Sequence, residues 1–275
     1  MSMYVPFKHI PDFQYNEGWD KYAIKYAALL KPDTLYYLHK QVMYDYLNKK
    51  ILPQFAGKKI KVLDVNCGTG NDFPYWLENS ELLVGIDGSP GMLNKAHEIY
   101  DSAITAGKLK LHQGMLQDIN AGSLGEKKFD IIYSITGGFS YITDEELAHS
   151  FKVLKTMLSP GGIIITAHLN TFCLPETIAY LLQGKWSRAK LRLNRNIVFK
   201  DGNILRLRNK PRLKKLLSPY FESLQFLPLI CIAPPYQTDI SFSRGTLRFL
   251  KKAENRMVDM NVGIPWADQI VVVCK

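Results

Sequence analysis

The sequence predicts an α/β fold, a mostly parallel sheet covered on both faces by helices. Three observations carry that expectation. The apolar run Lys61–Val65 contains a carboxylate and passes straight into a Gly-x-Gly turn, KVLDVNCGTGND. From Ile60 to Cys231, segments of strand and helix character alternate, the pattern of parallel strands joined by helical crossovers. Two helix starts are spelled out: Ser89-Pro90 supplies an N-cap followed by proline at the first helical position, and Thr143 with Glu146 makes a capping box.

Taken in order, residues 1–55 hold twelve of the chain's 32 aromatics. Phe13, Tyr15, Trp19, Tyr22 and Tyr26 fit one helical face from Tyr15 onward, so a helix packed over the core is expected there. Val62, Leu63 and Val65 suit a buried parallel strand. Gly68 and Gly70 permit a tight turn and close ligand approach, and Phe73–Leu77 begin the next helix. Leu82–Ile86 form a second strand, ending in Asp87, seventeen residues after Gly70. Leu224–Ile232 and Gln269–Cys274 supply the last strands. Three stretches fall outside this core: 1–55, 171–209 and 236–268.

At 275 residues and 47% hydrophobic composition, the chain suits one α/β domain of about 200 residues plus elaborations. No 18-residue apolar stretch exists, and MSMYVPFKHIPDF lacks the basic-then-apolar pattern of a signal peptide, so a cytoplasmic protein is expected. Cys67, Cys173, Cys231 and Cys274 are far apart. Their spacing fits neither zinc nor a disulfide framework, and structural roles are expected.

Charge is local. Lys185–Lys215 contains twelve Lys or Arg and one acid, Asp201, within a chain of net charge +10. Within it RNIVFKDGNILRLR reads as a hairpin turning at Asp201-Gly202, with Arg206 and Arg208 on a basic face and Leu205 and Leu207 on an apolar one. Such a face suits an anionic small substrate or carrier, an RNA, or an anionic membrane surface; it is equally a solvated face. RNA binding would usually add exposed aromatics, and the stretch offers only Trp186 and Phe199. Ile178, Leu181 and Leu182 beside Trp186 form an apolar stripe that favours membrane contact.

The turn after Lys61–Val65 points to a nucleotide-type ligand. A dinucleotide fold needs a third small residue where the helix crosses the strand, and here that residue is Phe73, whose bulk should hold the helix off. Asp64 and Asp72 would oppose a diphosphate but suit a cationic ligand without phosphates. Asp87 is placed to accept both hydroxyls of a ribose. Together these signals mean a nucleoside.

With those residues in view, the chain resembles class I S-adenosylmethionine-dependent methyltransferases over roughly Lys61–Asn170. DVNCGTG resembles the family's first motif, VGIDGSPGML the second and HQGMLQDI the third. KFDIIYSITGGFSYI resembles the fourth strand with its substrate-facing loop, and LSPGGIIITAHLN the fifth strand. Asn66 stands where glycine or alanine is usual, and Met115 where an acidic residue is common. The resemblance implies a Rossmann-like seven-stranded sheet whose last two strands run antiparallel at one edge. It implies S-adenosylmethionine as cofactor and S-adenosylhomocysteine as product. The amino acid moiety would lie against Asp64, Asn66, Gly68, Thr69 and Gly70, the ribose on Asp87 and Gly88, and the adenine between Met92 and the loop of Met115 and Leu116, with Asp118 a further option. Ser134 and, from the N-terminal helix, Tyr22 and Tyr26 would complete the pocket.

The resemblance further implies one methyltransferase domain over 1–275. Its parts would be an N-terminal helical lid (1–55), a cofactor-binding core (56–170), a basic substrate cap (171–209) and a C-terminal sheet edge (210–275) with its own insertion (236–268). Insertions after the fifth strand commonly roof the substrate pocket in this family, so a small or carrier-bound anionic acceptor is the first expectation. RNA methylation and a catalytically silent nucleoside-binding scaffold are the alternatives. In-line methyl transfer needs no metal, only a held acceptor and a route for its proton. His168 and Tyr141 are the expected catalytic residues, at the ends of the fifth and fourth strands. Ala233-Pro234-Pro235-Tyr236 looks like the motif of nucleic acid amino methyltransferases, but its polar first residue is replaced by alanine, and the prolines are expected to end a strand.

Overall fold

A computed structural model describes residues 15–115, 124, 126, 128–198 and 204–275. Phe13, Leu116, Asp118 and the hairpin turn at Asp201-Gly202 lie outside the described residues.

The main sheet has seven strands, β1 (Lys61–Val65), β2 (Leu82–Asp87), β3 (Leu109–Gln113), β4 (Phe129–Ser134), β5 (Leu158–Leu169), β8 (Leu224–Leu229) and β9 (Gln269–Cys274), in the order β3-β2-β1-β4-β5-β9-β8. The first five pair in parallel, and β9 runs antiparallel between β5 and β8. Among the described residues a second sheet pairs β6 (Asn196–Val198) with β7 (Ile204–Arg206). Chain order reverses between β1 and β4, which opens a crevice beyond their carboxyl ends.

Alternate side chains on each strand enter opposite cores. Val62, Leu83, Ile131 and Ile165 face one side with α2 (Leu35–Tyr46), α3 (Phe73–Asn79), α4 (Pro90–Thr105) and α9 (Arg244–Met260). Leu63, Val84, Ile132 and Ile164 face the other with α5 (Asp144–Thr156) and α8 (Lys210–Leu217). The expected helix starts are made: Ser89 Oγ accepts from Met92 N at 3.1 Å, and Thr143 and Glu146 exchange the two bonds of a capping box.

Phe73 does not hold its helix away. A Cβ built on Gly70 would sit 2.3 Å from the Phe73 ring, and one on Gly85 of β2 would sit 2.7 Å from it. The ring fills the space that two absent side chains leave. The small residues needed for close helix–strand packing thus stand on the turn and the strand, not on the helix.

One buried ion pair ties the N-terminal helices to this turn. Lys40 of α2 donates to Asp72 Oδ2 at 2.5 Å, with both side chains almost wholly buried. The other oxygen of Asp72 accepts from Tyr44 at 2.7 Å and Tyr133 at 3.5 Å. Burial pulls the Lys40 ammonium down, but Asp72 more than offsets this and the net shift is upward. Lys40→Met leaves a buried carboxylate without its cation and is expected to cost about 3–5 kcal/mol. Adding Asp72→Asn should restore most of that stability, as read from urea unfolding midpoints of the two variants.

Candidate active site

A cleft lies beyond the carboxyl ends of β1, β2 and β4. Asn66 and Gly68 form its floor, Asp87, Ser89 and Met92 one wall, and Thr136, Gly138 and Tyr141 the other; Trp19 and Tyr26 cover it from α1 (Tyr15–Ala27).

The floor is a turn whose backbone is held left-handed at Asn66 (φ 58°), Gly68 (φ 57°) and Gly70 (φ 78°). At Gly68 a side chain would meet the Tyr26 ring at 3.0 Å, so glycine here serves both conformation and close approach. Asn66 tolerates the left-handed region. Its carboxamide lies against Gly138, where a Cβ would come within 2.3 Å of Nδ2. That Nδ2 is buried without a partner among the described residues.

Asp87 joins the turn to β2 and α4. Its Oδ2 accepts from Gly68 N at 2.8 Å and its Oδ1 from Ser89 N at 2.9 Å. Burial raises its pKa, while these backbone N–H groups work against the shift. Each oxygen keeps lone-pair capacity beyond these bonds, and Asp87 lines the cleft. Asp64 is buried one strand over, close to Asp72, and burial followed by the Asp72 charge pushes it well above the carboxylate range. Its Oδ2 also has no partner among the described residues.

The N-terminal helix is seated on this wall. Asp20 Oδ1 accepts from Ser89 Oγ at 2.5 Å and from Gly91 N at 2.7 Å, binding α1 to the start of α4. Gly91 makes the approach possible, since a Cβ there would lie 2.6 Å from the Asp20 backbone. Trp19 meets Tyr22, Tyr26 and Tyr141 edge-on at 6.1, 6.3 and 6.1 Å. Burial pushes the Tyr22 phenol up to about 12 and Tyr26 well above its ordinary value.

Of the residues expected from sequence, Tyr26, Asn66, Gly68, Asp87, Met92 and Tyr141 line the cleft together. Tyr22 packs behind it with Met92. Gly88 and Met115 cover each other beyond Asp87, where a Cβ on Gly88 would meet the Met115 sulfur at 2.3 Å. Thr69 is buried and bonds Asn71 at 3.3 Å, and Gly70 turns toward Phe73. Ser134 is buried at the end of β4, away from the cleft lining. Sequence reasoning missed Asp20 and Gly91, and counted Trp19 only among the aromatics that pack the helix. An acid directly after Trp19, flanking the aromatic face, was the available signal.

Two expectations need correction. His168 is wholly buried, with its ring among Phe139 and Phe151 and its Nε2 3.0 Å from Thr166 Oγ1. Strand alternation sends it into the core with α5, so it cannot reach an acceptor in the cleft. The cap's basic face is also largely committed inward. Arg208 donates to Asp144 and to the carbonyls of Phe139 and Ile142. Arg206 donates to the Tyr141 carbonyl, and Arg212 pairs with Asp144. Arg192 is buried between Glu176 and Asp268. Among the described residues no Lys or Arg lines the cleft. Tyr236, the last residue of the proline motif, stands edge-on to Tyr36 at 5.0 Å and borders a neighbouring groove.

Residues 62–162 match the family model described as a methyltransferase domain. Over that span the chain is similar to class I S-adenosylmethionine-dependent methyltransferases. Over 119 residues it is 29% identical to a dTDP-3-amino-3,4,6-trideoxy-alpha-D-glucopyranose N,N-dimethyltransferase of Streptomyces venezuelae, covering 43% of this chain and 45% of that one. Over 123 residues it is 28% identical to a malonyl-[acyl-carrier protein] O-methyltransferase of Enterobacter lignolyticus, covering 44% and 43%. The chain spans about half the length of the curated relatives it matches. Its methyltransferase fold is shared with an S-adenosylmethionine-dependent methyltransferase of Clostridium acetobutylicum, at a TM-score of 0.57 and 15% identity over 94% of this chain and 98% of that one. Among the described residues no helix is long and apolar enough to cross a membrane.

The buried imidazoles set a pH dependence. His39 and His168 are each lowered to about 3, by burial first and then by Lys40 and Arg208 respectively. The unfolded chain, with ordinary values near about 6.5, binds protons that the folded chain excludes. Stability is therefore full above about pH 6.5 and falls as pH drops toward 3, by about 1.4 kcal/mol per histidine at about pH 5.5. Urea unfolding at neutral pH and at this lower pH should show His168→Phe losing less stability than the parent, by about that amount.

Proposed function

We propose that this methyltransferase takes S-adenosylmethionine in the cleft and methylates a small or carrier-borne acceptor. The single observation that carries this reading is Asp87. A carboxylate at the end of β2, held by backbone N–H groups from the glycine turn and from the start of α4, faces the cleft with acceptor capacity for a ribose diol. The residues around it suit the rest of the cofactor. The partnerless Asn66 Nδ2 is a donor beside the cleft floor. Asp64, with its partnerless oxygen, is an acceptor behind the floor, and a cofactor ammonium near it would favour its charged form. Met92 offers an apolar surface for a purine. In this reading Tyr22, Thr69, Gly70, Gly88, Met115 and Ser134 act by shaping the walls around Asn66, Gly68 and Asp87.

The cofactor supplies an electrophilic methyl group, and the chain's own residues orient the acceptor and exclude water. Trp19, Tyr26 and Tyr141 give the acceptor an aromatic enclosure, with Thr136 and Asn66 as its polar contacts. Tyr26 makes a poor base, because burial holds its proton on the ring. Catalysis then rests mainly on proximity and orientation, and Tyr141, at the cleft's edge, is the positioning residue nearest the acceptor side. The absence of Lys or Arg from the described lining favours an acceptor end that is neutral, with any anionic part of a carrier lying outside the cleft.

Calorimetric titration with S-adenosylmethionine and S-adenosylhomocysteine should show saturable binding of both and none of NAD. Asp87→Ala should weaken both adenosyl ligands at least tenfold, about 1.4 kcal/mol. No binding to the parent protein, or equal binding by the variant, would sink the reading.

A further inference from the structure

The outer surface of the cap is built unlike the rest of the molecule. Helix α6 (Leu174–Leu182) buries Pro175, Glu176, Ala179 and Tyr180 and turns Leu174, Ile178, Leu181 and Leu182 outward. Those four lie at i, i+4, i+7 and i+8, one stripe of a helix that is apolar on its solvent side as well as its inner side. Beyond it, Trp186 is 64% exposed and Leu193 68%, and Leu182 reaches 83%. Of fourteen exposed large hydrophobic side chains among the described residues, eight fall within 172–198. A soluble surface scatters such groups singly, and a contiguous cluster marks a surface that something covers.

Charge identifies the occupant. Within 172–198 the only acid is Glu176, buried under Arg192. The ionised groups that reach solvent are all cationic: Lys185, Arg188, Lys190 and Arg195. A second copy docked through a two-fold axis would bring this cationic rim against itself. A sheet of anionic headgroups over an apolar interior matches both features at once. Leucines enter the acyl boundary, an amphipathic tryptophan sits at headgroup level and basic residues meet the phosphates.

We propose that the outward face of α6, with Trp186 and the Lys190–Arg195 rim, docks this protein on an anionic lipid bilayer surface. Its inner side is continuous with the cleft: Tyr180, Leu191, Ile197, Leu205 and Leu207 form a small core that packs against Tyr141 and Leu169. Docking there would set the cleft beside the membrane surface. The surface itself is independent of whether the cleft binds a cofactor.

The test is co-sedimentation of the full chain with vesicles of phosphatidylcholine alone and of two parts phosphatidylcholine to one part phosphatidylglycerol. Partitioning should be at least tenfold stronger onto the anionic vesicles. Leu182→Asp should reduce it at least tenfold, Lys190→Glu with Arg195→Glu should abolish the preference for anionic lipid, and Ile99→Asp, an exposed apolar site elsewhere, should change nothing. These side chains are exposed, so unchanged urea midpoints separate lost docking from lost folding. No binding to anionic vesicles, or equal binding by Leu182→Asp, would overturn the proposal. So would light scattering that finds a dimer dissociated by Leu182→Asp in a protein that ignores vesicles, since that outcome assigns the face to a second copy.

Discussion

A carboxylate cannot be buried in a protein interior without a partner, and Asp72 is buried at the start of α3, directly behind the cleft floor. Its requirement for a cation organises what surrounds it. Lys40 arrives from α2, Tyr44 follows one turn later, and Tyr133 reaches in from β4. Asp72 therefore ties two parts of the chain, far apart in sequence, to the turn that shapes the cleft. Asn71 adds a neutral version of the same tie, donating to the Tyr26 carbonyl and the Tyr36 hydroxyl, each at 3.1 Å. Such an arrangement contributes little net stability over an apolar core, because desolvation offsets much of the attraction. What it confers here is position.

A second set of polar contacts acts on the other wall. Asp20 satisfies Gly91 N and Ser89 Oγ at the start of α4, where orphan N–H groups and the helix dipole favour a carboxylate. Asp87 satisfies Ser89 N and Gly68 N a few ångströms away. The N-terminal helix, the crossover helix and the glycine turn are thus joined through two carboxylates. Trp19 and Tyr26 then close over the floor by ring-edge contacts, which tolerate small displacements better than hydrogen bonds do.

The cap shows how a charge run misleads when read along one dimension. Arg206 and Arg208 alternate with Leu205 and Leu207 as a hairpin requires, and the strands do pair, Ile197 opposite Leu205. Yet both arginines are consumed by backbone carbonyls of the loop after β4 and by Asp144 at the start of α5. Their donors satisfy a buried, irregular loop that has few backbone partners of its own. Among the cations left to solvent, Lys185, Arg188, Lys190 and Arg195 stand earlier in the chain, between α6 and β6. His168 misled for a related reason: the end of a strand is near the cleft, but side chains alternate, and only one parity faces it.

The amino-acid sequence alone determined the α/β class, the strand ends at Asp64 and Asp87, the helix starts at Ser89 and Thr143, and the left-handed Gly-x-Gly turn. These follow from local physics: periodicity, the φ that glycine and asparagine accept, and caps that act within four residues. Only the tertiary structure decided which polar groups share a space. It set Asp20 on Gly91, turned His168 into the core, spent the cap's arginines on a loop and left α6 apolar toward solvent. Those outcomes depend on distances between segments tens to hundreds of residues apart. No local propensity encodes such distances, and they emerge only when burial forces each charge and each backbone group to find its partner.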